Sequence, residues 1–224
     1  MPDSKTAFLD RLAHDLRGPL SPLQTAAYLL KRPDIDPLRV RELVEIIDRQ
    51  SARLSAMVGE MGDWIRSEQS RLVLHREDSP LDMLIELATG GANVRDCDVV
   101  FADGSGEVAI NGDPQRLVQL LTTLIAYSSA RVAAGPLRIQ VGPVVDKDKS
   151  VSINIDEPDA DIPQAMVNEL FVAQQPAPFD DGLGLRLILA RAIAEAHGGT
   201  LHATTLPDAT VRITLTLPVA ASSA

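Results

Sequence analysis

Residues 12–20 read LAHDLRGPL and lie within a longer run whose apolar residues recur every three or four positions. That spacing predicts an amphipathic helix from Ser4 to Lys31. The apolar face of the helix consists of Leu9, Leu12, Leu16, Leu20, Leu23, Ala27 and Leu30. Pro19 is expected to bend or loosen the helix. His14 falls between two members of the apolar face, so its side chain should point away from that face.

A second helix is predicted after the break at residues 32–37. Asp36 can cap its first turn, and Pro37 suits the first helical position. The apolar spacing then continues to about Ser70 through Leu43, Ile47, Leu54, Met57, Met61 and Trp64, with Gln50 as a polar member. Two long helices joined by a short loop form an antiparallel hairpin, and one copy cannot bury both apolar faces. We therefore expect a homodimer that builds a four-helix bundle.

The chain after Arg71 predicts short strands mixed with helices. Strands are predicted at 72–74, 98–101, 107–110, 137–145, 151–155, 201–205 and 210–217, and helices at 78–87, 113–131, 162–171 and 184–197. Asp113 and Pro114 open the strongest helix as cap and first residue. This order is typical of a two-layer α/β sandwich. The predicted fold class is therefore α+β, with a helical hairpin over residues 1–70 and a sandwich over residues 71–224.

Composition excludes several classes of protein. The chain has 31 acidic and 21 basic residues, a formal net charge of -10 and 3% aromatic residues, which argues against a nucleic-acid partner. Cys97 is the single cysteine of the sequence and fits a reducing compartment. We find no signal peptide and no stretch near the ~20 apolar residues that cross a bilayer, so we expect a cytoplasmic protein without a membrane partner. Sensory input is expected from another protein, or from further parts of a longer chain.

His14 and Asp15 are the candidate catalytic residues. A carboxylate beside an exposed histidine can accept a hydrogen bond from one ring nitrogen, which leaves the other nitrogen free to attack. An isolated pair of this kind is more often an ordinary feature of a surface. Here the histidine and acid are followed by a Pro-Leu pair, and the whole run resembles the phosphoacceptor box of the sensor histidine kinases. The resemblance implies that His14 carries a phosphoryl group and that Asp15 is its acid/base residue.

The second half of the chain resembles the ATP-binding domain of the same family, the Bergerat-type sandwich. The resemblance is carried by DPQRLVQLL at 113–121, GLGL at 182–185, HGG at 197–199 and the closing strand that ends at Pro218. It implies a residual nucleotide site made of Asp156, Gly182 and Gly184. On a second alignment Glu157, not Asp156, is the carboxylate that contacts adenine. The two glycines can equally serve only to cap and pack the following helix.

Several ligand positions depart from the family pattern. The two asparagines of the family would fall near Thr123 and Tyr127, and neither side chain can replace an asparagine as a magnesium ligand. The first glycine box reads DEPDADIP at 156–163 and contains no glycine. We therefore predict no metal site and no resident cofactor.

The sequence as a whole predicts a two-component phosphorelay protein. His14 would exchange a phosphoryl group with aspartates of response-regulator receiver domains, without ATP. One alternative is an ATP-dependent histidine autokinase, which would need ATP and Mg²⁺ in an atypical pocket. A second alternative is a non-catalytic dimeric partner that inhibits or scaffolds another kinase. The intact pair of His14 and Asp15 argues against this last possibility, because a scaffold has no need of it.

Overall fold

The computed structural model describes residues 4–68, 72–90, 96–132, 135–145, 149–158, 162–174 and 183–220. The first part is a helical hairpin in which α1 spans Ser4–Leu29 and α2 spans Pro37–Glu68. Helix α1 continues through Pro19. The Asp36 carboxylate accepts a hydrogen bond from the Leu38 N–H at 3.0 Å, which is the predicted cap. Along the described part of the chain, none of the helices is long and apolar enough to span a bilayer.

The predicted apolar face of the hairpin is only partly buried. Its buried side chains are Leu12 on α1 and Leu43 and Met57 on α2, and of these Met57 is completely buried. Leu20 keeps 39% of its surface exposed, and the side chain of Leu9 lies outside the described residues. One hairpin therefore leaves apolar surface uncovered, although Leu12 and Met57 are buried in a cluster that also contains residues of the sandwich.

The rest of the described chain forms a sandwich of four helices and seven strands. The helices are α3 (Leu81–Thr89), α4 (Pro114–Ser129), α5 (Gln164–Glu169) and α6 (Arg186–Ala196). The strands are β1 (Glu77–Pro80), β2 (Cys97–Phe101), β3 (Ala109–Gly112), β4 (Leu137–Val141), β5 (Ser150–Glu157), β6 (Thr200–Thr205) and β7 (Val211–Pro218).

The main sheet has the strand order β2-β4-β5-β7-β6. Strands β2 and β4 are parallel, and the other neighbours are antiparallel. Burial alternates along β5 and β7, so every second side chain faces the helices. The core between the layers includes Leu124 of α4, Ile193 of α6 and Ile153 of β5. The predicted α+β class, a hairpin followed by an α/β sandwich, is confirmed.

The beginning of α4 and the end of α6 are joined by one histidine. Asp113 caps α4 by accepting the Arg116 N–H at 3.1 Å. The Asp113 N–H in turn donates to His197 Nε2 at 3.0 Å, and His197 Nδ1 donates to the Ile193 carbonyl at 2.7 Å. Both ring nitrogens are thus engaged in the neutral form, and burial lowers the pKa of His197.

Two predictions for the start of the sandwich are wrong. Residues 72–74 are not in a strand, and residues 78–80, the first part of the helix predicted over 78–87, belong to β1. β1 pairs antiparallel with β3, and Asn111 Nδ2 donates to the Asp78 carboxylate at 2.6 Å across this pair. Helix α3 begins only after it, at Leu81. The pairing of β1 depends on a partner more than thirty residues away, which a local pattern does not reveal.

Candidate functional site

His14 presents its ring to solvent from the side of α1. Its side chain is 84% exposed, and Nδ1 lies 3.2 Å from a carboxylate oxygen of Asp15. In the neutral tautomer that donates from Nδ1 to Asp15, Nε2 keeps its lone pair. The structure therefore places the two predicted catalytic residues side by side, with the His14 ring exposed to solvent.

The sandwich packs against the hairpin close to this histidine. Leu12 and Leu16 flank His14 on α1 and share one apolar cluster with Leu183 and Leu185, the two leucines of GLGL. We call this contact the interdomain cluster, and its members are Leu12, Leu16, Met57, Met61, Trp64, Leu183, Leu185 and Ile188. Since the flanking leucines face the sandwich, His14 is left on the open side of the helix.

A cavity of about 510 Å³ lies between α2, α4 and α6. Its walls are made by Ala56, Gly59 and Glu60 of α2, Gln119, Thr122, Thr123, Ala126 and Tyr127 of α4, and Gly184, Arg186, Leu187, Leu189, Ala190 and Ile193 at and within α6. Gly184 adopts a φ of 71°, a left-handed conformation that glycine favours. The predicted site residue Gly184 thus lines a real cavity, whereas Gly182 lies outside the described residues.

Two cavity residues occupy the positions at which the resemblance places asparagines. The Thr123 hydroxyl donates to the Gln119 carbonyl of its own helix at 2.8 Å. Tyr127 is 8% exposed, and burial raises its pKa to about 12. Arg131 lies over the Tyr127 ring, 5.4 Å from its centre. A neutral phenol and a hydroxyl engaged with its own helix make a poor donor set for a magnesium ion.

The two candidate adenine carboxylates lie on opposite faces of β5. Asp156 faces away from the helices, and both of its oxygens are held by Arg212 of β7 at 2.6 and 2.7 Å. Glu157 faces the helices and is 1% exposed. It accepts from the Ser128 hydroxyl at 2.7 Å and from Arg131 Nε at 2.9 Å. Neither carboxylate lines the cavity, so the structure does not bring Asp156 together with Gly184.

Two family models match this chain. Residues 4–70 match the His Kinase A (phospho-acceptor) domain, and residues 112–221 match the histidine kinase-, DNA gyrase B-, and HSP90-like ATPases. This chain belongs to the two-component sensor histidine kinase family. The hairpin with His14 is its phosphoacceptor domain, and the sandwich is its ATPase-type domain.

Relatives support the same assignment. Sensor histidine kinase ZraS of Escherichia coli O157:H7 is 25% identical over 93% of this chain and 45% of its own length. Sensor protein ChvG of Agrobacterium fabrum is 29% identical over 97% of this chain and 40% of its own. The chain thus spans less than half the length of these curated relatives. The structure of Acinetobacter baumannii histidine kinase AdeS has the same fold, with a TM-score of 0.69 and 19% identity over 93% of this chain and 98% of AdeS.

A further histidine kinase structure, that of full-length ShkA in complex with AMPPNP, superposes with a TM-score of 0.70. It covers 96% of this chain and 47% of ShkA at 18% identity. The two domains of the present chain therefore share their fold with histidine kinases from several sources. The identities are too low to transfer ligand contacts residue by residue.

Sequence reasoning missed the polar contacts that join the two domains. Glu60 of α2 pairs with Arg186 at the start of α6, its Oε1 lying 2.8 Å from Nε. Asp63, one turn later on α2, accepts two hydrogen bonds from Arg116 of α4 at 2.8 and 3.1 Å. Burial opposes the ionisation of Asp63, but hydrogen bonds from Arg116 and Arg66 outweigh it and hold the pKa of Asp63 below its usual value. The sequence does show that Glu60 and Asp63 lie on one face of a predicted helix. No local pattern identifies the arginines with which they pair.

Proposed function

We propose that this chain is a histidine phosphotransferase of a two-component phosphorelay, a pseudokinase that exchanges a phosphoryl group between His14 and receiver aspartates without ATP. The observation that carries the proposal is the contrast between an open His14 and the buried Glu157. His14 is 84% exposed beside Asp15, whereas both candidate adenine carboxylates are already paired, Glu157 with Ser128 and Arg131 and Asp156 with Arg212.

The chemistry follows from the tautomer of His14. The Nε2 lone pair attacks the phosphorus of an aspartyl phosphate on a receiver domain, a P–N bond forms, and the P–O bond to the aspartate breaks. The carboxylate of the receiver leaves with the bonding electrons. Asp15 accepts the Nδ1 proton in a hydrogen bond and stabilises the positive charge that develops on the ring. The reverse sequence delivers the group to a second receiver.

Magnesium and ATP fit the cavity poorly, which supports this proposal. Thr123 and Tyr127 replace the expected asparagines, and the Thr123 hydroxyl is engaged with its own helix. Glu157 would have to release both Ser128 and Arg131 before it could contact a base. No step of the proposed reaction passes through a nucleotide on this chain.

The proposal includes a homodimer in which two hairpins form a four-helix bundle. Large apolar side chains on both helices remain exposed in the single chain, namely Leu20, Tyr28, Leu38, Val44, Val58 and Ile65. A second copy would cover part of this surface. Receiver domains would then dock on the outside of the bundle beside His14.

The decisive experiment is phosphoryl uptake from a labelled donor. A receiver domain carrying ³²P on its aspartate is mixed with the wild-type chain, with His14→Gln and with His202→Gln. His202 is a second exposed histidine and serves as the matched control. We expect acid-labile label on the wild type and on His202→Gln, and none on His14→Gln, because only His14 has the activated ring nitrogen. Equal labelling of all three chains, or labelling of none, would refute the proposal.

The competing autokinase function is favoured by one observation. The 510 Å³ cavity between α4 and α6 is lined by Gly184 in the conformation that a phosphate-binding glycine box requires. Calorimetric titration with ATP and Mg²⁺ separates the two functions. Micromolar binding followed by label transfer from ATP to His14 would establish the autokinase. Absence of binding up to millimolar nucleotide is expected for the phosphotransferase.

A further inference from the structure

A side-chain carboxylate of the helical hairpin, that of Glu60, lies at the N-terminal end of α6 in the sandwich. The Glu60 carboxylate on α2 accepts the Leu183 N–H at Oε2, 3.0 Å away, and pairs with Arg186 Nε at Oε1, 2.8 Å away. The Glu60 side chain is only 11% exposed. Each of its oxygens therefore has a donor from the sandwich, in a setting largely withdrawn from water.

The donors that hold Glu60 are those that attract phosphate. A backbone N–H in a loop just before a helix and a guanidinium beside it both favour negative charge. Leu183 lies between Gly182 and Gly184 in the sequence, and Gly184 shapes the backbone there with its positive φ. A polyphosphate entering the cavity at this end would compete for the same two donors.

The surrounding contacts hold Glu60 in place. Ala56 and Gly59 lie on the same turn of α2 and form one wall of the cavity together with Glu60. The Asp63–Arg116 ion pair and the apolar interdomain cluster fix α2 against the sandwich on either side of this wall. If the Glu60 side chain moved away, two hydrogen bonds between the domains would be lost.

We propose that Glu60 is an autoinhibitory contact, an internal carboxylate that excludes polyphosphate from the α6 end of the cavity while the two domains are docked. The inference rests on the proposed function in one respect, because it adds a second reason why the docked chain works without ATP. Opening the domains, by a partner or by a second part of a longer chain, would expose Leu183 and Arg186 to an incoming anion.

Inorganic pyrophosphate is the probe that tests this directly. Its affinity is measured by calorimetry for the wild type, Glu60→Gln, Glu60→Ala and Glu42→Gln. Glu42 also pairs with an arginine on α2, Arg39, but far from the sandwich, and it is the matched control. We expect both Glu60 variants to bind pyrophosphate at least about tenfold more tightly than the wild type and Glu42→Gln, the worth of one charge-assisted hydrogen bond. Adding Arg186→Gln to Glu60→Gln should cancel the gain.

Hydrogen exchange at the Leu183 amide gives the second reading. Faster exchange in Glu60→Ala with unchanged pyrophosphate affinity would overturn the inference, since the donor would then be free and still bind no anion. An unchanged affinity in Glu60→Gln alone, should the alanine variant fail to fold, would overturn it equally. Phosphoryl uptake by His14 from a labelled receiver is followed in the same variants. If the Glu60 variants bind pyrophosphate no more tightly than the wild type but His14 still takes up the phosphoryl group, only the role of Glu60 is rejected. If the wild type takes up no phosphoryl group, the proposed function is rejected.

Discussion

The region around His14 and the cavity between α4 and α6 both correspond to parts of a histidine kinase. They differ in whether their polar groups face solvent or pair within the protein. On α1 the ring of His14 contacts Asp15 and is otherwise exposed to solvent. At the cavity, hydroxyl and carboxylate groups are satisfied by the protein itself, as at Thr123 and Glu60. An exposed ring can meet an incoming group directly, whereas polar groups that are already paired inside the protein must break those bonds before they contact a ligand.

The largest expected effect tests whether the apolar core stabilises the sandwich, the half of the molecule that carries α4 and α6. Leu124 of α4 is completely buried, so Leu124→Ala should lower the free energy of unfolding by about 3 kcal/mol. Leu87→Ala on α3 is the matched control, because Leu87 is 57% exposed. Urea unfolding followed by circular dichroism measures both. A cost for Leu124→Ala as small as that for Leu87→Ala would show that the sandwich core is not what stabilises this half.

The next effect concerns the His14 side of the comparison. Asp15→Asn keeps the shape of the side chain but removes the charge that holds the Nδ1 proton, so phosphoryl uptake from a labelled receiver should slow by on the order of 100-fold. Asp48→Asn on the exposed side of α2 is the control and should react at the wild-type rate. Rapid-quench measurement of labelled His14 provides the rates. Equal rates for the two variants would remove Asp15 from the mechanism.

The same two regions show how far sequence reasoning reached. Helix starts at Asp36 and Asp113 were predicted correctly because a capping carboxylate and the following proline act within one turn. The pairing of His14 with Asp15 was likewise local. Local sequence could not tell which of Asp156 and Glu157 faces the helices. The side-chain directions on β5 are fixed by its pairing with β7.

Contacts between the two domains were even harder to predict from the sequence. Glu60 and Arg186 are 126 positions apart, and only the packing of α2 on α6 brings them together. Their charges are visible in the sequence, but many acidic and basic residues share that property. The strand at 77–80 was missed for a related reason, since its partner β3 lies across α3 and β2 in the chain.

The smallest expected effect is a pH dependence that arises at the joint between α4 and α6. Burial lowers the pKa of His197 in the folded state, and its ring nitrogens are engaged by Asp113 and Ile193 in the neutral form. The unfolded chain therefore binds a proton near pH 6.5 that the folded chain does not, and stability falls as the pH drops below that value, by at most about 1.4 kcal/mol per pH unit. The lowered pKa values of Asp63 and Asp113 act only below their ordinary value of 3.8, outside this window.

Urea unfolding at pH 7.5, 6.5 and 5.5 measures this slope. His197→Gln should be less stable than the wild type at pH 7.5. The His197 ring packs so closely on Gly112 that a Cβ at position 112 would lie only 2.5 Å from the ring, and a glutamine side chain cannot reproduce this fit. Its stability should nevertheless change less between pH 6.5 and 5.5, since the titrating ring is gone. His202→Gln removes an exposed ring and should keep the wild-type slope. A wild-type chain equally stable at pH 5.5 and 7.5 would mean that the joint tolerates a protonated His197, and that the α4–α6 wall of the cavity is less rigid than its hydrogen bonds indicate.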